Sequence, residues 1–196
     1  MRRMTAADLS PGQIDALRSL AGFGSADAAR SLGQLVGPGV EMDATRAAVY
    51  RAEDLASLFA PEPQGLSVRF RAEGGARVRL LVQLTKAGAA RIAEALVGER
   101  ASYAPLQRSA LAEAANILIS SYLSGVGAAV GLTLVPSVPE LSGGPVAEAA
   151  VLAFGDLDAP LLLVTDFKLA GQLAGRIVAA PEGDAIELLL STLGAL

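Results

Sequence analysis

Apolar residues recur with a helical period in two long stretches of the chain. One stretch begins near Pro11 and the other near Pro105, and each predicts a long amphipathic helix. Ser10-Pro11-Gly12-Gln13 is typical of a helix start, because the serine oxygen and the glutamine amide can satisfy backbone groups left open there. Gln107 follows Pro105 at the same spacing, so the second helix repeats part of this signal.

Runs with the pattern of strands follow each long helix. They are Leu66–Arg71 and Val78–Leu84 in the first half, and Val146–Phe154, Leu161–Phe167 and Leu173–Ala179 in the second. Arginines alternate with apolar residues in the first half, which predicts a sheet with one face in water. Short helices are expected to close the halves at Ala87–Val97 and Ala185–Leu193.

The two halves resemble each other at an offset of 94 residues. The matching positions are Pro11/Pro105, Gln13/Gln107, Ala16-Leu17/Ala110-Leu111, Ala21/Ala115, Gly33/Gly127 and Gly37/Gly131. The order of predicted elements agrees as well, so we interpret residues 1–196 as one domain made of two repeats, about 8–98 and about 103–196. Neither unit can bury a one-sided sheet alone. We therefore predict an α+β fold: a duplicated helix–strands–helix unit with pseudo-twofold symmetry, its two long helices packed on one antiparallel sheet.

Composition restricts the chemistry that this fold could carry. The chain has no cysteine and no histidine, which excludes thiol nucleophiles, imidazole bases and Cys/His zinc sites. Its formal net charge of −4 argues against nucleic-acid binding. The absence of cysteine and of a recognisable secretion signal leads us to expect a cytoplasmic protein.

No charged residue lies between Glu113 and Glu140, so this stretch is a candidate membrane span. Serines and glycines interrupt it, and its helical periodicity fades after Gly125. We therefore predict a helix that runs into a buried strand, and no membrane span.

Four polar residues of the second long helix share one face. At about 100° per residue, Ser109, Glu113, Asn116 and Ser120 fall within about 60° of each other. The opposite side carries Leu111, Leu118 and Tyr122. Ile117, Ile119 and Leu123 flank the polar stripe, and we interpret them as an apolar rim typical of a docking surface.

The spacing Ser109-x-x-x-Glu113-x-x-Asn116, followed after 22 residues by Pro139, resembles the signature of the CheC-type chemotaxis phosphatases (the CheC, CheX and FliY-like proteins). This family is built from a duplicated unit with two long helices over a sheet. The resemblance extends over nearly the whole chain.

The resemblance implies hydrolysis of the aspartyl phosphate of a CheY-like response regulator. Asn116 would position the attacking water, and Glu113 would pair with the receiver's lysine. The chain would need no cofactor of its own, since the receiver carries the magnesium ion. Ile117 and Ser120 are expected to contact the partner, whereas Ser109 and Pro139 match the motif without an assigned role.

The first repeat departs from this pattern. Ser19 stands where Glu113 does and Gly22 where Asn116 does, although Asp15 occupies the place of Ser109. Thr45 takes the position of Pro139. We therefore predict a single working site, in the second repeat.

Two alternatives remain open at this stage. The same helix could bind a receiver, or the CheD deamidase with which the family forms complexes, without turnover. The chain could instead be a scaffold like the related proteins of the flagellar switch. Two weaker signals, Gly22-Phe23-Gly24 for a nucleotide and Asp156 with Asp158 for a cation, are better explained by a helix and by a turn.

Overall fold

The computed structural model describes residues 6–59, 64–98 and 104–196. The α-helices are α1 (Pro11–Val36), α2 (Lys86–Val97), α3 (Ala104–Val130), α4 (Val146–Phe154) and α5 (Asp184–Thr192), with 3-10 helices η1 (Ala6–Asp8) and η2 (Ala52–Phe59). The strands are β1 (Val40–Met42), β2 (Arg46–Val49), β3 (Gln64–Gly74), β4 (Val78–Leu84), β5 (Leu134–Pro136), β6 (Glu140–Pro145), β7 (Leu161–Leu169) and β8 (Gln172–Pro181). Within these described residues, no helix combines the length and the hydropathy that a bilayer crossing requires.

The predicted start of α1 is confirmed. The Ser10 hydroxyl accepts a hydrogen bond from the Gln13 backbone N–H at 3.3 Å, and the Gln13 side chain accepts one from the Ser10 N–H at 2.9 Å. Pro11 takes the first helical position. The backbone N–H groups of Ser10 and Gln13 are therefore satisfied within four residues, which is why this helix start could be recognised from sequence.

The described strands form one eight-stranded antiparallel sheet in the order β1-β7-β8-β4-β3-β5. β2 pairs with the same edge of β7 as β1 does, and β6 pairs with the same edge of β3 as β5 does. The central pair, β4 with β8, joins the two halves of the chain. The predicted α+β class, with two long helices on an antiparallel sheet, is confirmed.

The sheet has the same strand order from either edge if each strand is replaced by the strand at the matching place in the other half of the chain. β1 then exchanges with β5, β2 with β6, β3 with β7, and β4 with β8. This arrangement is the one expected from two repeats. The division of the chain at about 8–98 and 103–196 stays an interpretation of the sequence.

The prediction of a strand at Val146–Phe154 was wrong, because this segment is helix α4. Its buried residues are Val146, Ala149, Ala150, Ala153 and Phe154. They follow the i, i+3, i+4, i+7 spacing of a helix with one buried face, and alanine favours a helix over a strand. A short apolar run bounded by turn residues does not separate these two structures by hydropathy alone.

The long helices α1 and α3 pack against each other on one face of the sheet and cross at two glycines. A Cβ atom at Gly24 would lie 2.7 Å from the Tyr122 carbonyl oxygen, and one at Gly125 would lie 2.8 Å from the Phe23 carbonyl oxygen. α3 continues to Val130, and the strand that follows it, β5, lies at the edge of the sheet with Val135 exposed, so the expectation of a buried strand after this helix was wrong.

The other face of the sheet is only partly in water. A second apolar cluster, which includes Leu55, Leu81 and Phe154, lies there beneath η2 and α4. Arg71 on the same face is exposed, as predicted. Arg79 is mostly covered and donates hydrogen bonds to the Glu182 carboxylate and to the Ala153 carbonyl at the end of α4.

Candidate functional site

The polar stripe predicted from spacing lies on the outer surface of α3. Ser109 and Glu113 are exposed, whereas Asn116 and Ser120 are half-buried. Residues three or four apart on a helix have Cβ atoms about 5–6 Å from each other. The Glu113 carboxylate and the Asn116 amide therefore leave the helix side by side.

The opposite face of α3 forms core, as predicted. Leu111, Leu118 and Tyr122 are each at most 3% exposed. Burial raises the pKa of the Tyr122 phenol, so this side chain stays neutral. The buried face fixes the rotation of α3 about its axis, and this rotation directs the stripe outward.

The predicted apolar rim is wrong at two of its three positions. Ile119 and Leu123 are 0% and 1% exposed, and both belong to the main core. Their side of α3 is covered by the rest of the fold, which a helical projection of one element cannot show. Ile117, on the other side of the stripe, is half-buried.

Glu113 and Asn116 have no internal partner in residues 6–59, 64–98 and 104–196. Neither side chain makes a hydrogen bond or an ion pair there. Acidic residues on α1 differ in this respect, since Asp27 lies 2.7 Å from the Arg30 guanidinium and Asp15 lies 3.0 Å from that of Arg18. The Glu113 charge and the Asn116 amide are therefore both available to a partner.

The matching face of α1 carries no such pair. Ser19 and Gly22 are exposed, at the positions that correspond to Glu113 and Asn116. A Cβ atom at Gly22 would meet nothing within 4 Å. Packing therefore does not require a glycine at this position, and α1 presents neither a carboxylate nor an amide there.

Pro139 is half-buried in the three-residue link between β5 and β6. The link is tied to β3, because the Ser137 N–H donates to the Arg71 carbonyl at 2.7 Å and the Arg71 N–H donates to the Ser137 hydroxyl at 3.0 Å. Helix α3 packs against both β5 and β6. Pro139 thus lies in an edge segment that neighbours the helix of the stripe.

Sequence reasoning missed a buried hydroxyl chain at the corresponding place in the first half. Thr45, in the link between β1 and β2, lies 2.7 Å from Thr165 on β7, and Thr165 lies 3.1 Å from Ser25 on α1. The three hydroxyls satisfy one another beneath α1. They have no spacing signal in the sequence, because they come from three separate elements.

The two weaker candidates have structural explanations. Gly22, Phe23 and Gly24 lie inside α1 and do not follow a strand, so they do not form a phosphate-binding turn. Asp156 binds Arg79, and this hydrogen bond lowers the pKa of the Asp156 carboxyl. In the described part of the chain, no three acidic side chains gather in a way that could hold a metal ion.

Known proteins resemble the chain in sequence and in fold. CheC1 of Halobacterium salinarum, which carries the name of a CheY-P phosphatase, is 31% identical over 134 residues, covering 66% of this chain and 68% of CheC1. The CheY-P phosphatase CheC of Bacillus subtilis is 25% identical over 197 residues, covering 93% of this chain and 94% of CheC.

The crystal structure of FliY from Thermotoga maritima superimposes with a TM-score of 0.72 at 17% identity, covering 95% of this chain and 98% of FliY. No family model matches the chain. The sequence shared with CheC1, together with the shared fold, shows that the chain belongs to the CheC-type family of chemotaxis proteins.

Proposed function

We propose that this protein hydrolyses the aspartyl phosphate of a CheY-like response regulator. The observation that carries the proposal is the pairing of Glu113 with Asn116 on the outer face of α3, where neither has an internal partner in the described residues. The names of the two CheC relatives support CheY-P as the substrate class.

We assign Asn116 to positioning the attacking water molecule. In the reaction, a water oxygen attacks phosphorus, the bond between phosphorus and the aspartate oxygen breaks, and inorganic phosphate leaves with the protons of the water. An amide can accept a hydrogen bond from the water and donate one to an oxygen nearby. Because an acyl phosphate is already activated, positioning of the water in line with the leaving oxygen is the contribution that the receiver lacks.

Glu113 is assigned to docking. Its carboxylate lies one turn from Asn116 and pairs with no cation among the described residues, so it can form a charge-assisted hydrogen bond with the lysine ammonium of the receiver. Such a contact fixes the register in which Asn116 enters the phosphorylated site. The magnesium ion, the phosphoryl group and the lysine are all supplied by the receiver, which agrees with a chain that has no cysteine or histidine.

The contacts of the first half support a place for Pro139 beside this site. Thr45 reaches α1 through Thr165 at Ser25, three residues beyond Gly22. By the correspondence of the halves, we expect Pro139 to border α3 near Ile119, three residues beyond Asn116. We assign Pro139 to the wall of the site, and Ser109, Ile117 and Ser120 to contact with the receiver.

Phosphate release tests the proposal. Purified CheY-like receivers are phosphorylated in the presence of magnesium, and release is followed with wild type, with Asn116→Ala and with Ser57→Ala. Ser57 is the control, because it is exposed on η2, which lies on the other face of the sheet from α3. We expect wild type to accelerate release from one receiver, Asn116→Ala to lose about 10²-fold in rate, and Ser57→Ala to behave as wild type.

Two outcomes would oppose the proposal. If wild type binds a phosphorylated receiver but releases no phosphate, the chain is a binding module. If Asn116→Ala retains the wild-type rate, the amide does not position the water.

A further inference from the structure

Phe23 on α1 is exposed, unlike the other phenylalanines whose side chains are described. Phe70, Phe154 and Phe167 are at most 3% exposed, whereas Phe23 is 59% exposed. An aromatic ring offers a large apolar area, and leaving it in water costs the protein solubility without stabilising the fold. Phe23 is therefore an exposed aromatic ring that the core does not use.

The fold uses the backbone of Phe23 and leaves its side chain free. The Phe23 carbonyl oxygen lies against Gly125 at the helix crossing. The residues around the ring on α1 are small: Gly22 is open to solvent, and Ala26 is exposed. Because the crossing uses the Phe23 carbonyl and not its ring, we expect replacement of the ring to leave this backbone contact in place.

Phe23 lies on the same helix layer as the candidate site. Gly125, which contacts the Phe23 backbone, is nine residues beyond Asn116, and nine residues of helix span about 13.5 Å. Ile117 faces the same groove between the helices, since Ser121, one turn further on, donates a hydrogen bond to Ser31 of α1 at 2.7 Å. The surface between the stripe and α1 therefore combines the half-buried Ile117 with the hydroxyls of Ser121 and Ser31.

The usual size of a stable protein interface decides whether one partner can cover both Asn116 and Phe23. Such an interface buries about 800 Å² on each partner, which corresponds to a disc of about 16 Å radius. The axes of packed helices lie about 8–10 Å apart, so Asn116 and Phe23 both fit within such a disc when it is centred over the groove between α1 and α3, and a receiver that docks across this groove covers both. Aromatic side chains are enriched among the residues that carry most of the binding energy in such interfaces.

We infer that Phe23 anchors the phosphorylated receiver, so that the first repeat supplies docking while the second supplies chemistry. The inference rests on the proposed function and adds a residue that is outside the family motif. It also explains why the outer face of α1 keeps an aromatic residue although it has lost the carboxylate and the amide.

The test compares Phe23→Ser with Leu152→Ser. Leu152 is 65% exposed on α4, which lies on the other face of the sheet, so it controls for loss of exposed apolar area. The probe is a CheY-like receiver that the wild-type chain dephosphorylates. Its affinity is measured in the beryllofluoride and magnesium form, and its dephosphorylation is followed at saturating protein.

We expect Phe23→Ser to raise the Kd at least about tenfold, with an unchanged rate at saturation and an unchanged thermal melting curve. Leu152→Ser should match wild type in both readouts. A wild-type Kd for Phe23→Ser, or a reduced rate at saturation with no change in Kd, would overturn the inference.

Sedimentation of the protein without receiver measures its oligomeric state and tests a different occupant for Phe23. If wild type is a dimer that Phe23→Ser dissociates while receiver affinity stays unchanged, the ring binds a second copy and the inference is wrong. The proposed function fails separately, when wild type dephosphorylates none of the receivers tested.

Discussion

Alanine at Gly22 and alanine at Gly24 should change stability in opposite directions, although the two positions are two residues apart on α1. Alanine favours a helix over glycine by about 1 kcal/mol, and this gain applies at both sites. The difference lies in the space for the methyl group. A Cβ atom at Gly22 meets nothing within 4 Å, whereas at Gly24 it would lie 2.7 Å from the Tyr122 carbonyl oxygen and 2.8 Å from a Val126 methyl group.

The magnitude follows from these contacts. To bring the contact from 2.7 Å to the 3.4 Å at which ordinary van der Waals contact begins, α1 and α3 must separate by about 0.7 Å at their crossing. Overpacking of this kind costs about 1–3 kcal/mol, and a backbone obstacle puts Gly24 at the upper end. We expect Gly22→Ala to gain about 0.5–1 kcal/mol and Gly24→Ala to lose about 2 kcal/mol.

Urea denaturation of the two variants and wild type, followed by circular dichroism, measures these free energies of unfolding. In a protein of this size the expected difference between the variants corresponds to a separation of about 6–12 °C in Tm. A gain at both positions would refute the reasoning about Gly24, because it would show that the crossing can accommodate a methyl group. A loss at both positions would refute the reasoning about Gly22, because it would show that the open space there gives no gain.

Two further predictions concern the site. Glu113→Gln should raise the receiver concentration needed for half-maximal phosphate release about tenfold and weaken its dependence on ionic strength, because an ion pair with the receiver is lost; an unchanged salt dependence would exclude this role. The double substitution Ser19→Glu with Gly22→Asn, made in the Asn116→Ala protein, should raise its rate of phosphate release about tenfold, since Gly22 has room for a side chain. No recovery would show that α1 lacks more than these two groups.

The elements that could be predicted from sequence are those whose signals are local. The capping box of Ser10 and Gln13 is complete within four residues, and the alternation of Arg69 and Arg71 with apolar residues is set by one strand and its two faces. Along Val78–Leu84 the predicted wet face was wrong, because this strand is buried on both faces. The polar stripe of α3 was also visible, because helical geometry alone places residues three and four apart on one face.

The parts that could not be predicted depend on contacts between distant segments. Ile119 and Leu123 resemble a rim on an isolated helix but are buried by the assembled fold. The sequence of helix α4 also fits a strand, because its apolar run is short and its buried face becomes apparent only against η2 and the sheet. The sequence around Phe23, which lies between two glycines, does not indicate a role for this residue. The crossing of α1 and α3 shows that its carbonyl oxygen packs against Gly125 while its ring is exposed.

The central claim is that the Asn116 amide acts in the chemical step. The most direct measurement is single-turnover phosphate release from a phosphorylated CheY-like receiver, with the chain in increasing excess, for wild type and Asn116→Ala. We predict that the rate at saturation falls about 10²-fold while the concentration for half-saturation stays unchanged. An equal rate at saturation, or a loss that excess protein overcomes, would contradict the account.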